Sequence, residues 1–172
     1  MSEKLQQVLE TLGYKVSKGS AQDDKGRAIP LLTFKHGVHQ LVAFEEDNGV
    51  QIAYPMDIRP EDTALLEKQP DEIMGQLFSI LKREVLEGRT AYVMATTETE
   101  NPKKWKALKQ IRVSQKVIVA DTEPHTLQRV ADGIQEIVVV AVRCQLVMGE
   151  ALRSVATATK ISTTTYHDAM YR

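Results

Sequence analysis

The sequence is short of most features that would assign it a chemistry. It has one cysteine, Cys144, so no internal disulfide can form, a usage that suits a reducing compartment. Neither sign of charge prevails. The formal net charge of −1 gives no global attraction to nucleic acid or to anionic membranes, although local patches stay open. No apolar run approaches the ~18 residues of a membrane span. The opening MSEKLQQ lacks a basic stretch followed by an apolar one, so no export signal is expected and a cytoplasmic location is. G-x-S-x-G, a phosphate-cradling glycine loop and H-E-x-x-H are all missing, and carboxylates occur by abundance rather than in a recognisable catalytic pair. No enzyme activity and no cofactor are therefore expected. Repeats and low-complexity linkers are also lacking, which favours one domain over residues 1–154 followed by a tail or terminal strand at 155–172.

What is present reads as an ordinary globular chain, since 42% apolar and 26% charged residues over 172 positions allow one core of useful size. Leu5, Val8, Leu9 and Leu12 fall at helical spacing after Ser2, and Gly13 stands where a left-handed residue ends a helix. Tyr14 to Lys18 alternates like a short edge strand, and Gly19 to Arg27 reads as a polar turn. Three strands of an antiparallel meander follow: Ile29 to Lys35, Val38 to Glu45 and Val50 to Tyr54. His36–Gly37 and Asp47–Asn48–Gly49 supply the turns, and Pro55 is the expected end. Pro60 opens an acidic helical turn. Pro70 restarts a helix whose broad stripe, Ile73, Met74, Leu77, Phe78, Ile80, Leu81 and Val85, is expected to lie on the sheet. Thr90 to Thr97 and Ile111 to Ala120 read as two further strands. The fold class is α+β, an antiparallel sheet with N-terminal, middle and long C-terminal helices.

That last helix dominates the sequence. Thr122 is placed to cap it, Glu123 and Pro124 occupy its first turn, and it runs to Arg153. Leu127, Val130, Ala131, Ile134, Val138, Ala141, Met148 and Leu152 mark one apolar face, broken by Gln145. A buried strand over Ile137 to Val142 is the alternative reading, but the apolar region is too long for one. Around the centre, apolar side chains point in every direction, more than a domain of this size ordinarily covers. Ile137, Val139, Val140, Val142, Leu146 and Val147 are therefore candidates for binding a partner, a second copy first.

Other candidates compete with plainer accounts. His36 and His39 lack a third ligand nearby and are expected to lie on different faces of the hairpin, so no metal site is assigned. Glu45, Glu46 and Asp47 lack the spaced oxygens of a calcium loop. Cys144 reads as a small buried hydrophobe, since a reactive thiol needs partial exposure and an electropositive neighbour. Lys103, Lys104, Trp105, Lys106, Lys109, Arg112 and Lys116 form the one local excess of positive charge. It is suited to phosphates, stacked bases or an acidic segment of a protein, although such runs are usually solvated surface and the sequence lacks the basic pI of nucleic-acid binders.

The order of elements, together with the L-x-x-L-G-Y start at Leu9 to Tyr14 and the hairpin strands around Leu31 to Tyr54, resembles the class I type III secretion chaperones and the related YbjN-like proteins of prokaryotes. The resemblance spans Ser2 to Arg153. It implies a small α+β domain that dimerises and binds segments of other proteins without a cofactor, and it transfers no functional residue. The expectation is a non-enzymatic, chaperone-like adaptor acting as a homodimer, with nucleic-acid or acidic-ligand binding through 103–116 as the alternative.

Overall fold

The computed structural model describes residues 3–22, 26–46, 49–86, 90–95, 108–119 and 122–170. The chain is an α+β fold in the order α1 (Glu3–Thr11), β1 (Ser17–Gln22), β2 (Ala28–His36), β3 (His39–Glu46), β4 (Gly49–Asp57), α2 (Pro60–Glu67), α3 (Asp71–Leu86), β5 (Ala91–Ala95), β6 (Gln110–Val117) and α4 (Pro124–Met170). The strands form one six-stranded sheet in the order β1-β2-β3-β4-β6-β5, antiparallel throughout. β6 thus inserts between β4 and β5.

Helix α1 ends as its sequence predicts. Gly13 has φ +87°, its N–H bonds to the Glu10 carbonyl, and the Tyr14 N–H bonds to the Leu9 carbonyl, the paired closure that a left-handed glycine permits. The strand that follows departs from expectation. It covers Ser17–Gln22 rather than Tyr14 to Lys18, so Gly19 to Gln22 of the anticipated polar turn are strand. Gly, Ser and Ala have little strand preference of their own, and the ladder with β2 overrides it. Leu31 leans across Gly19, where a Cβ would stand 3.2 Å from its Cδ1. Strand β4 likewise continues through Pro55 to Asp57. The β3 register stops at Ala53, so Pro55 has a strand partner only on the β6 side, where it faces Arg112. A proline with one neighbouring strand is tolerated like one on an edge.

Cross-strand partners share a face and residues two apart in a strand do too. Leu32, Leu41, Ile52 and Val113 therefore lie on one face, together with Phe34, Val50, Met56, Ile111 and Val117. These side chains join the buried residues of all four helices in a single cluster, with Leu5, Val8 and Leu9 from α1, Leu66 from α2, Phe78 and Leu81 from α3, and Ile134 and Ile137 from α4. Each such aliphatic or aromatic side chain stabilises the fold by about 1.5–3 kcal/mol over its exposed state. The other face carries Leu31, Val42, Phe44 and Gln51, with Ala53 and Ser114 buried at its centre. There Gln51 Nε2 donates to Ser114 Oγ at 2.7 Å.

Helix α3 meets the sheet as its stripe predicts, at β5, but packs chiefly along α4. Helix α4 does not stop at Arg153 but continues to Met170, so the anticipated tail or strand beyond Val155 is helical. Its start also shifts slightly. The Glu123 carbonyl accepts the N–H groups of Thr126 and Leu127, which places Glu123 at the cap position and Pro124 at N1, where a missing donor is harmless.

Candidate interaction surfaces

The six apolar residues of α4 singled out for partner binding divide between core and surface. Ile137 is fully buried and Val140 is 4% exposed, so neither is available to another chain. Val142 and Val147 are part-buried against the same cluster. Val139 and Leu146, one heptad apart on the side of α4 away from the core, are 39% and 59% exposed. The surplus is smaller than the sequence implies because α4 is covered on two flanks by its own chain, by β4 and β6 on one and by α2 and α3 on the other. Cys144 is buried among the same residues. Gln145, the break in the apolar face, extends sideways so that its Nε2 donates to the Tyr54 hydroxyl at 3.3 Å.

Helix α3 supplies an apolar surface that the sequence reading assigned wholly to the core. Met74, Leu77, Phe78 and Leu81 are buried, but Ile73 and Ile80 are 43% and 38% exposed. With Leu77 they line one wall of a groove of about 430 Å³ whose other wall is Val147 and Ala151 of α4. Ile73, Leu77 and Ile80 are spaced i, i+4, i+7, so they form a strip beside the buried one. A stripe wider than ~100° on a surface helix is the signal that marks them.

The β2–β3 hairpin corrects an argument about its histidines. A two-residue loop with Gly37 at φ +60° places His36 directly opposite His39, and opposite residues share a face rather than dividing between two. Tyr14 Oη lies 2.8 Å from His36 Nδ1, and His39 Nδ1 lies 3.3 Å from Tyr54 Oη with the two rings edge to face. Burial disfavours the phenolate and pushes the Tyr14 hydroxyl above its ordinary pKa of 10.0. Among the described residues, no three His, Cys, Asp or Glu side chains converge as metal ligands.

Of the basic segment, Lys103, Lys104, Trp105 and Lys106 lie outside the described residues. Lys109 and Lys116 are exposed and Arg112 is part-buried. Arg112 and Lys116 share the sheet face opposite the helices, since their partners Pro55 and Gln51 both lie there. The end of the segment is fixed to the body. Ile58 N–H donates to the Lys109 carbonyl at 2.8 Å, and the buried Thr63 Oγ1 donates to the Leu108 carbonyl at 3.0 Å. Next to it, Arg59 grips Asp62 through two bonds, Nε to Oδ2 at 2.7 Å and a terminal nitrogen to Oδ1 at 3.1 Å. That bond to Asp62, with the charges of Asp62 and Glu61, raises the already high pKa of the guanidinium. Asp62 and Arg59 stand at the rim of an apolar recess of about 280 Å³ lined by Met56, Cys144, Met148 and Leu152.

No protein-family model matches the chain, and no curated protein matches it. Two solved structures do. An uncharacterized protein from Methanothermobacter thermautotrophicus aligns over 87% of this chain and 97% of its own with a TM-score of 0.64 at 12% identity. YbjN from E. coli aligns over 87% of this chain and 89% of its own at 14% identity, with a TM-score of 0.46. The first likeness shows a shared fold alone. The second is too loose to carry an argument. No helix among the described residues is long and apolar enough to cross a membrane.

Proposed function

We propose that the protein is a non-enzymatic, chaperone-like adaptor that binds segments of other proteins and acts as a homodimer. One observation carries the reading: Ile73, Ile80, Val139 and Leu146 remain on the surface of α3 and α4 beside the buried residues of the same two helices. Apolar side chains that no longer serve the fold are suited to association, and the groove between the two helices is the size of a few such side chains. Sedimentation of the whole chain with Val139→Glu, Leu146→Glu, and the pair Ile73→Glu and Ile80→Glu tests it. Loss of self-association or of co-purifying protein in these variants, with an unchanged far-ultraviolet spectrum, is the expected result. A monomer that captures nothing, before and after substitution, sinks the proposal.

A second reading is binding of nucleic acid or an acidic ligand through the basic segment. It is favoured by Arg112 and Lys116 sharing the sheet face away from the helices. Binding to a mixed oligonucleotide pool must then weaken steeply with salt. Salt-independent or absent binding removes this reading.

A further inference from the structure

The outward side of α4 follows a pattern that repeats every seven residues. Asp132, Val139, Leu146 and Arg153 are all exposed, and each seventh position of a helix returns to within about 20° of the last, so the four line a single strip. Val130, Ile134, Ile137, Ala141, Cys144 and Met148 are buried on the opposite side. The strip is about 32 Å long at 1.5 Å per residue. Its order is acid, apolar, apolar, base. The acid and the base are both steadied by their own helix: Asp132 accepts from Gln128 Nε2 at 2.7 Å, and Arg153 Nε donates to the Gly149 carbonyl at 3.1 Å.

We propose that two copies meet along this strip, with their α4 helices packed antiparallel about a two-fold axis that passes between Val139 and Leu146. This rests on the homodimer reading and names its interface. A second copy is the occupant because the strip complements itself. A two-fold contact sets one surface patch against the same patch. With the helices antiparallel, each Val139 meets the partner's Leu146 and each Asp132 meets the partner's Arg153. A parallel pair would set each of these charges against its own copy, and such like-charge contacts disfavour it. Of the other charges along the strip, Glu150 comes opposite the uncharged Gln135, and the two copies of Arg143 flank the axis, where their long exposed side chains turn outward to water. Two apolar residues from each copy make a weak contact, so the dimer depends on concentration. The contact uses Val139 and Leu146 and leaves Ile73 and Ile80 of α3 to a bound segment.

Exchanging the two charges tests the pairing with its sign fixed in advance. Asp132→Arg sets arginine against the partner's Arg153, and Arg153→Asp sets aspartate against the partner's Asp132, twice per dimer in each case. Each single variant should weaken the dimer by roughly three- to tenfold in Kd at low salt, read by sedimentation equilibrium of the full chain. The double variant restores opposite charges and should return Kd to within about twofold of the parent. Both positions are exposed, so folding is expected to survive, which circular dichroism verifies. A dimer whose single variants match the parent, or whose double variant loses the sum of the two, overturns the antiparallel α4 contact and leaves the homodimer standing. A chain that is monomeric at every concentration overturns both.

Discussion

His36 and His39 face one another across a two-residue loop, and the Nδ1 atom of each is held by a tyrosine hydroxyl, Tyr14 at 2.8 Å and Tyr54 at 3.3 Å. The contacts tie the hairpin to its surroundings at two points. Tyr14 fastens it to the turn after α1, and Tyr54 connects it through Gln145 to α4.

Removal of the first hydroxyl should be felt in stability and in its pH dependence. Tyr14→Phe is expected to lower stability by about 0.5–1.5 kcal/mol, the net worth of one hydrogen bond. Because burial raises the folded-state pKa of Tyr14 above 10.0, the unfolded chain loses this proton first as pH rises. The associated stability is whole below about pH 10 and declines above it. Denaturant titrations at pH 8 and above pH 10 check the sign, since the variant must lack this part of the alkaline decline.

The two helical glycines of α4 should respond oppositely. A Cβ at Gly133 meets Gln115 Oε1 at 3.0 Å and Val117 Cγ2 at 3.3 Å, whereas one at Gly149 meets nothing within 4 Å. The glycine thus sets how closely α4 lies on β6. Gly149→Ala should gain up to about 1 kcal/mol from helix propensity. Gly133→Leu should lose about 1–3 kcal/mol from overpacking. Thermal melts of the two variants decide it.

At the end of α1, Gly13→Ala has open space around the new Cβ but must hold φ +87°. A loss of about 1–2 kcal/mol is expected from backbone strain alone. A melting temperature equal to the parent's would contradict the left-handed closure.

The division of α4 into core and surface makes a paired prediction. Ile137→Ala should destabilise by about 2–5 kcal/mol. Leu146→Ala, 59% exposed, should stay within about 0.5 kcal/mol in the isolated chain. Equal effects at the two positions would contradict the assignment.

The sequence made some of this fold visible and hid the rest for identifiable reasons. The meander, α1 with its glycine stop and the paired prolines before α2 and α3 were readable, because hydrophobic period and turn residues are local signals. The strand Ser17–Gln22 was not, since its residues have no strand preference and only the ladder with β2 holds them extended. Burial of Ile137 and Val140 depends on the strands and helices packed along α4, a tertiary fact that periodicity along one helix cannot carry. Exposure of Ile73 and Ile80 is hidden for the converse reason, since a helical stripe does not show which of its apolar positions a neighbour covers.

The insertion of β6 beside β4 has a consequence for the chain while it is being made. Strand β4 must wait for a partner that emerges about fifty residues later, roughly 3–10 s at a synthesis rate of ~5–20 residues per second. In that interval α2, α3 and β5 leave the ribosome, while the nascent meander offers Val50, Ile52 and Met56 on a temporary edge. Its most aggregation-prone moment therefore comes before the protein is complete, and it ends when residues 110–117 close the centre of the sheet.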